Sequence, residues 1–237
     1  MKHILLLLVF CALPLAAQST KSEPASYLSE FVKALDIAWP KNRTMNIVCH
    51  GHSVPSGYAK TPHVDTFVAY PHLLHRAVKE KHPHAVVNVI VTAIGGETSK
   101  TGAARFTHDV LCMKPDVVLI DYGLNDRRLT MEESAKNLQQ MIDEAKAAGV
   151  KVILLTPTGD TRAKMLDDSD PLSQQAAQIR SLAEKNGVAL ADSYLAYQSW
   201  MKAGKKLDDL MSQINHPNAA GHQLVVEQLL PWFRLGK

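Results

Sequence analysis

A serine, a histidine and two residues able to present N–H donors stand far apart in this chain, at positions that suit acyl transfer. Ser53 comes two residues after Gly51, in Cys49-His50-Gly51-His52-Ser53, where a strand-like run gives way to a tight turn. A serine hydroxyl becomes a good nucleophile only when a base takes its proton, and the oxyanion its attack creates needs donors already held in place. His216 is the candidate base. It lies in Asn215-His216-Pro217-Asn218-Ala219-Ala220-Gly221-His222, where Pro217 restricts the backbone beside it and a helical pattern begins just afterward. Gly96 can present a main-chain N–H with no side chain in the way, and Asn125 can add a side-chain amide donor. Taken singly, each has an ordinary reading as a turn or helix-cap residue.

Five short runs rich in Val, Ile and Leu, at 45–49, 86–92, 116–121, 150–156 and 188–192, lack strict alternation. That is the composition of strands covered on both faces. Between them lie helical patterns at 67–81, 98–112, 131–148 and 171–186, with two more near 193–203 and 218–234, and one at 27–39 that Pro40 stops. The alternation predicts an α/β fold with a parallel five-stranded sheet and right-handed crossovers. Chemistry in such sheets gathers just past the carboxyl ends of the strands. Gly51-His52-Ser53, Ile94-Gly95-Gly96-Glu97 and Tyr122-Gly123-Leu124-Asn125-Asp126 each follow a strand-like run. Tyr58, Asp65, Tyr122 and Arg127 fall on loops at the same end and are candidates for lining a substrate pocket. The stretch 157–171, rich in Gly, Pro and Asp, reads as a long loop on that face.

The chain of 237 residues opens on Lys2 and an apolar run from Ile4 to Leu13, which closes in Ala16-Ala17 before polar residues. The run is too short to span a bilayer and has the layout of a cleavable signal peptide over 1–19. Phe10 stands before Cys11 where a lipidation site would carry a small residue. Residues 20–237 are then expected as a single exported domain, periplasmic or secreted, with no stable membrane insertion. With 26 basic and 23 acidic residues the charge is close to balanced, and nothing suggests nucleic acid. Cys49 and Cys112 are expected as two buried free thiols. The eleven histidines include His72 with His75 and His82 with His84, but no spacing typical of a metal site, so neither metal nor other cofactor is expected.

The order G-x-S, G, G-x-N-D and H-P-N-x-x-G-H resembles the SGNH, or GDSL, hydrolases, and the resemblance runs from about Asn46 to Leu230. It implies a flavodoxin-like three-layer sandwich. It also implies that Ser53 is the nucleophile, that Gly96 and Asn125 complete an oxyanion hole with the Ser53 N–H, and that His216 is the general base. Two positions depart from the family pattern. His52 stands where the family has an aspartate before its serine, and Gln213 stands where the family has the aspartate that orients its histidine. Gln213 is expected to accept the His216 ring N–H through its carbonyl, with Asp208 or Asp209 as the alternative acid. The implied activity is hydrolysis of a carboxylic ester. A short acyl group on a polar carrier, an O-acetylated poly- or oligosaccharide, suits an exported chain with 6% aromatic residues and no long apolar lid segment. The alternatives are a lipid or lysophospholipid ester, and a catalytically weak carbohydrate-binding protein on the same fold. The oligomeric state is left open.

Overall fold

A computed structural model describes residues 22–234. The leader expected over 1–19 lies outside the described residues. The chain enters through two short helices, α1 (Pro24–Tyr27) and α2 (Ser29–Leu35), and then alternates. The order is β1 (Thr44–Gly51), α3 (Ser53–Ser56), α4 (Tyr70–Lys81), β2 (Val86–Val91), α5 (Ser99–Ala104), α6 (Phe106–Asp109), β3 (Val117–Asp121), α7 (Met131–Ala147), β4 (Lys151–Leu155), α8 (Pro171–Asn186), β5 (Ala189–Ala191) and α9 (Ser193–Lys202). A two-stranded ribbon, β6 (Met211–Gln213) with β7 (His216–Pro217), precedes α10 (Ala219–Leu229).

The five main strands are all parallel, in the order β2-β1-β3-β4-β5, which is the flavodoxin-like arrangement with its switch point beside β1. Alternate residues of each central strand feed two separate cores. Ile47, Cys49, Val117, Leu119, Ile153 and Leu155 pack with residues of α2, α4, α9 and α10. Val48, Val118, Ile120, Val152 and Leu154 pack against α7 and the second half of α8. Burial on both sides explains why these strands read as continuous apolar runs.

The helix starts are set by side chains that satisfy free N–H groups. Thr130, Asp170, Asp192 and Asn218 cap α7, α8, α9 and α10, and Pro171 opens α8. Three expectations are corrected here. The first helix ends at Leu35, and Trp39 beyond it is 83% exposed. The segment expected as one helix over 98–112 is broken into α5, α6 and a 3-10 turn. Cys112 is exposed rather than buried, while Cys49 is buried, and both are free. The stretch before Pro171 is a long loop, as its composition predicts. Among the described residues no helix is long and apolar enough to cross a membrane.

Candidate active site

Ser53 is the first residue of α3, directly past the carboxyl end of β1. A glycine is needed at position 51 because a Cβ there would sit 2.4 Å from the Asp121 carbonyl oxygen of neighbouring β3. The chain then turns sharply into α3, whose first turn is capped by His52: its Nδ1 accepts the Val54 N–H at 3.2 Å. Accepting there leaves the His52 proton on Nε2, which lies 3.4 Å from Asp121 Oδ1 in the interior. The histidine that replaces the family's aspartate thus takes over a capping role.

The Ser53 hydroxyl Oγ lies 2.9 Å from His216 Nε2. His216 stands at the start of β7, and the antiparallel pairing of Gln213 with His216 fixes the approach of its ring. On the other side of the ring, Nδ1 lies 2.9 Å from the Ala59 carbonyl oxygen and 2.8 Å from Gln213 Nε2. Burial pulls the His216 pKa below its ordinary 6.5, against the Ala59 bond. The ring is therefore kept neutral near pH 7, as a base must be.

The expected role of Gln213 is corrected. Its carbonyl does not face the ring: Oε1 accepts the Thr61 main-chain N–H at 3.0 Å, and Nε2 donates to Thr61 Oγ1 at 2.8 Å. A main-chain N–H can only donate, and this fixes which end of the amide points at Thr61. The acceptor available to His216 Nδ1–H is the Ala59 carbonyl, a group whose role belongs to no particular residue type. Asp208 and Asp209 are exposed in a 3-10 turn ahead of β6. Neither makes a hydrogen bond or ion pair with His216 among those found.

Gly96 has φ +78, a backbone conformation that favours glycine, and open space where a Cβ would project. Asn125 follows β3 and donates one amide N–H to the Glu97 carbonyl at 2.9 Å, which ties the two donor-bearing loops together. Tyr58 lies against the site, its ring 5.8 Å from that of His216 and packed against Gly95. Asp65 closes the same loop through its backbone, donating its N–H to the Gly57 carbonyl at 2.8 Å. Arg127 lines an adjoining cleft and binds Asp160 at 2.7 Å.

Tyr122 does not line a pocket. It is fully buried, because it continues the face of β3 that Val118 and Ile120 turn into the second core. Its hydroxyl donates to Glu97 Oε2 at 2.9 Å and lies 3.0 Å from His50 Nε2. Arg105 closes a two-bond fork on the same Glu97 carboxylate. Burial opposes ionisation of Glu97, yet the Arg105 and Tyr122 bonds hold its pKa below the ordinary carboxylate value. Sequence reading missed this cluster, and also Asp126, whose buried carboxylate accepts the Ser99 N–H of α5 and the Ser134 hydroxyl of α7. The period-two continuation Val118, Ile120, Tyr122 was the available signal for the first. Among the described residues no group of three His, Cys, Asp or Glu side chains can hold a metal ion.

Comparison with known proteins places this geometry. The family model of GDSL-like lipases and acylhydrolases matches residues 49–224. An acetylxylan esterase of Geobacillus stearothermophilus is 26% identical over 196 residues, covering 76% of this chain and 86% of that protein. The esterase TesA of Pseudomonas aeruginosa is 36% identical over 95 residues, 39% of this chain and 46% of its own. Among solved structures, Axe2, an acetylxylan esterase from Geobacillus stearothermophilus, superposes with a TM-score of 0.68 at 21% identity, over 80% of this chain and 94% of its own. A two-domain esterase active on acetylated mannans gives 0.70 at 19% identity, over 88% of this chain and 52% of its own. The chain belongs to the GDSL-like lipase/acylhydrolase family, and it is a carboxylic ester hydrolase of α/β fold.

Proposed function

We propose that this protein removes O-acetyl groups from a carbohydrate through an acyl-Ser53 intermediate. The observation that carries the reading is the 2.9 Å contact between Ser53 Oγ and His216 Nε2, with the opposite ring nitrogen on the Ala59 carbonyl. In that tautomer the Nε2 lone pair faces the hydroxyl. His216 takes the serine proton as Oγ attacks the ester carbonyl carbon, and the resulting oxyanion is met by the N–H groups of Ser53 and Gly96 and by the Asn125 amide. Asn125 has two amide hydrogens. One is spent on the Glu97 carbonyl, which aims the other. Collapse of the intermediate breaks the bond to the sugar oxygen, which takes the proton back from His216. Water then repeats the attack on the acyl-enzyme, restoring Ser53 and releasing acetate.

The acetylated carbohydrate comes from the relatives, an acetylxylan esterase and an esterase active on acetylated mannans, and from a leader that reads as a signal for export of residues 20–237 as one domain. A longer acyl chain is the second reading, favoured by Val64, Ile94 and Ile214, three exposed apolar residues on loops around the serine and histidine. The binding-only alternative does not suit a serine and histidine already in hydrogen-bond contact. Purified Ser53→Ala should lose at least about 10³-fold in kcat on p-nitrophenyl acetate while keeping its circular dichroism. Near-normal turnover by folded Ser53→Ala would sink the assignment. Preference for p-nitrophenyl octanoate over the acetate would move the substrate to lipid esters.

A further inference from the structure

Beside Asn125 a cleft of about 470 Å³ opens, lined by Arg127, Arg128, Arg162, Asp170 and Asn215 among others. It adjoins the proposed site, since Asn125, the proposed oxyanion donor, lines it, and so does Asn215, which precedes His216. Three guanidinium groups share this small volume in a chain whose overall charge is close to balanced.

The two carboxylates nearest to them are already engaged. Asp160 lies fully buried beneath the cleft, where Oδ2 accepts Arg127 Nη2 at 2.7 Å and Oδ1 accepts the Arg162 main-chain N–H at 2.8 Å. The Arg162 guanidinium stands 3.5 Å from both oxygens, at the outer limit of hydrogen bonding, and its side chain is 65% exposed. Asp170 spends Oδ1 on the Leu172 N–H and Oδ2 on the Lys164 N–H. Arg128 donates only to main-chain carbonyls, those of Gly96 and Asn125, so its charge meets no carboxylate among the bonds found. The cleft thus holds a surplus of positive charge with planar donors left over, the arrangement that suits a two-point grip on an oxyanion.

We propose that this cleft is a subsite for an acidic sugar, in which Arg162 and Arg128 take the carboxylate of a uronosyl residue neighbouring the acetylated one. The inference rests on the acetylated-carbohydrate reading above. A carboxylate held there would draw acidic oligosaccharides onto the enzyme in preference to neutral ones, and would set which acetyl group along the chain reaches Ser53.

The test compares two acetylated xylooligosaccharides that differ only in one glucuronosyl side group, by acetate release from the wild-type protein and from Arg162→Gln and Arg162→Lys. The wild type should favour the acidic substrate about 10-fold in kcat/KM, mainly through KM, and raising the salt concentration should shrink the ratio. Arg162→Gln should bring the ratio close to one, with Arg162→Lys between, since it keeps the charge and loses the fork. The neutral substrate reports folding and chemistry within each variant. Equal kcat/KM for both substrates in the wild type overturns the acidic subsite and leaves the carbohydrate reading standing. So does an acidic preference that survives in Arg162→Gln. Turnover of p-nitrophenyl acetate with neither oligosaccharide hydrolysed defeats the carbohydrate reading itself.

Discussion

At His216 two neighbours make opposite demands on one nitrogen. The Ala59 carbonyl can only accept, and so favours a proton on Nδ1, while the Gln213 amide nitrogen presents donors to the same atom. A glutamate at 213 would relieve the conflict without moving an atom, because its two oxygens could accept from the Thr61 N–H, the Thr61 hydroxyl and the His216 ring together. Gln213→Glu should therefore raise kcat and move the acid limb of the rate–pH profile upward, through stabilisation of the imidazolium. In the wild type that limb should lie below pH 6.5, since burial depresses the base and only its neutral form reacts. A limb that stays in place in Gln213→Glu would mean that the glutamate does not reach the ring. Asn125→Ala removes one donor to developing charge and should cost roughly 10²- to 10³-fold in kcat with little change in KM; a change confined to KM would make Asn125 a binding residue instead. Ser53, Gly96, Asn125 and His216 were legible together because four blocks in the right order resemble a family pattern, although singly each reads as a turn or cap residue. Ala59 was not, because any residue carries a carbonyl, and Gln213 was misread because sequence position says nothing about which way an amide turns.

Among the elements, the turn between β2 and α5 carries the Gly96 N–H and is anchored from below by Glu97. The Glu97 carboxylate is gripped by Arg105 on the segment joining α5 to α6 and by Tyr122 at the end of β3, while its own carbonyl holds the Asn125 amide. Glu97→Ala should thus lower kcat by about 10-fold or more with little effect on KM, since it loosens donors that act on the transition state. Glu97→Gln should recover part of the loss, because it keeps one acceptor. A variant that loses only thermal stability, with kcat intact, would show the clamp to be mere packing. The strands themselves were readable because burial on both faces leaves uninterrupted Val, Ile and Leu runs. The ribbon of β6 and β7 was not, since strands of three and two residues leave no periodicity to detect.

At the scale of the whole molecule, two histidines besides His216 are held neutral by the interior, His50 and His222. Burial takes His50 down to about 4 and His222 to about 3, with Arg105 adding to the first and His216 to the second. In the unfolded chain both would take up protons near 6.5, so between about pH 6.5 and 4 the unfolded state binds more protons than the native one, and stability must fall as the pH is lowered through that window. Calorimetry from pH 7 to 4 should record a steadily falling Tm; a flat Tm would mean that other groups compensate. The parallel sheet was legible from alternation alone, and the flavodoxin-like three-layer arrangement from the resemblance, whereas the internal polar clusters around His50 and Asp126 have no sequence period of their own.

The serine and its proposed base lie 163 residues apart, and this separation has a consequence for the order of synthesis. All five strands of the main sheet and the nucleophile leave the ribosome before the segment carrying His216 does. A chain still being made, or cut after residue 209, carries every strand of the main sheet but lacks His216 and also α10, whose Val225, Val226 and Leu229 belong to one of the two cores. Hydrolysis then begins only with the last stretch of polypeptide, which makes activity a report on finished assembly. A fluorophosphonate probe that phosphonylates Ser53 in the wild-type chain should leave full-length His216→Ala essentially unlabelled, and rapid labelling of that variant would show the serine to be activated without the histidine.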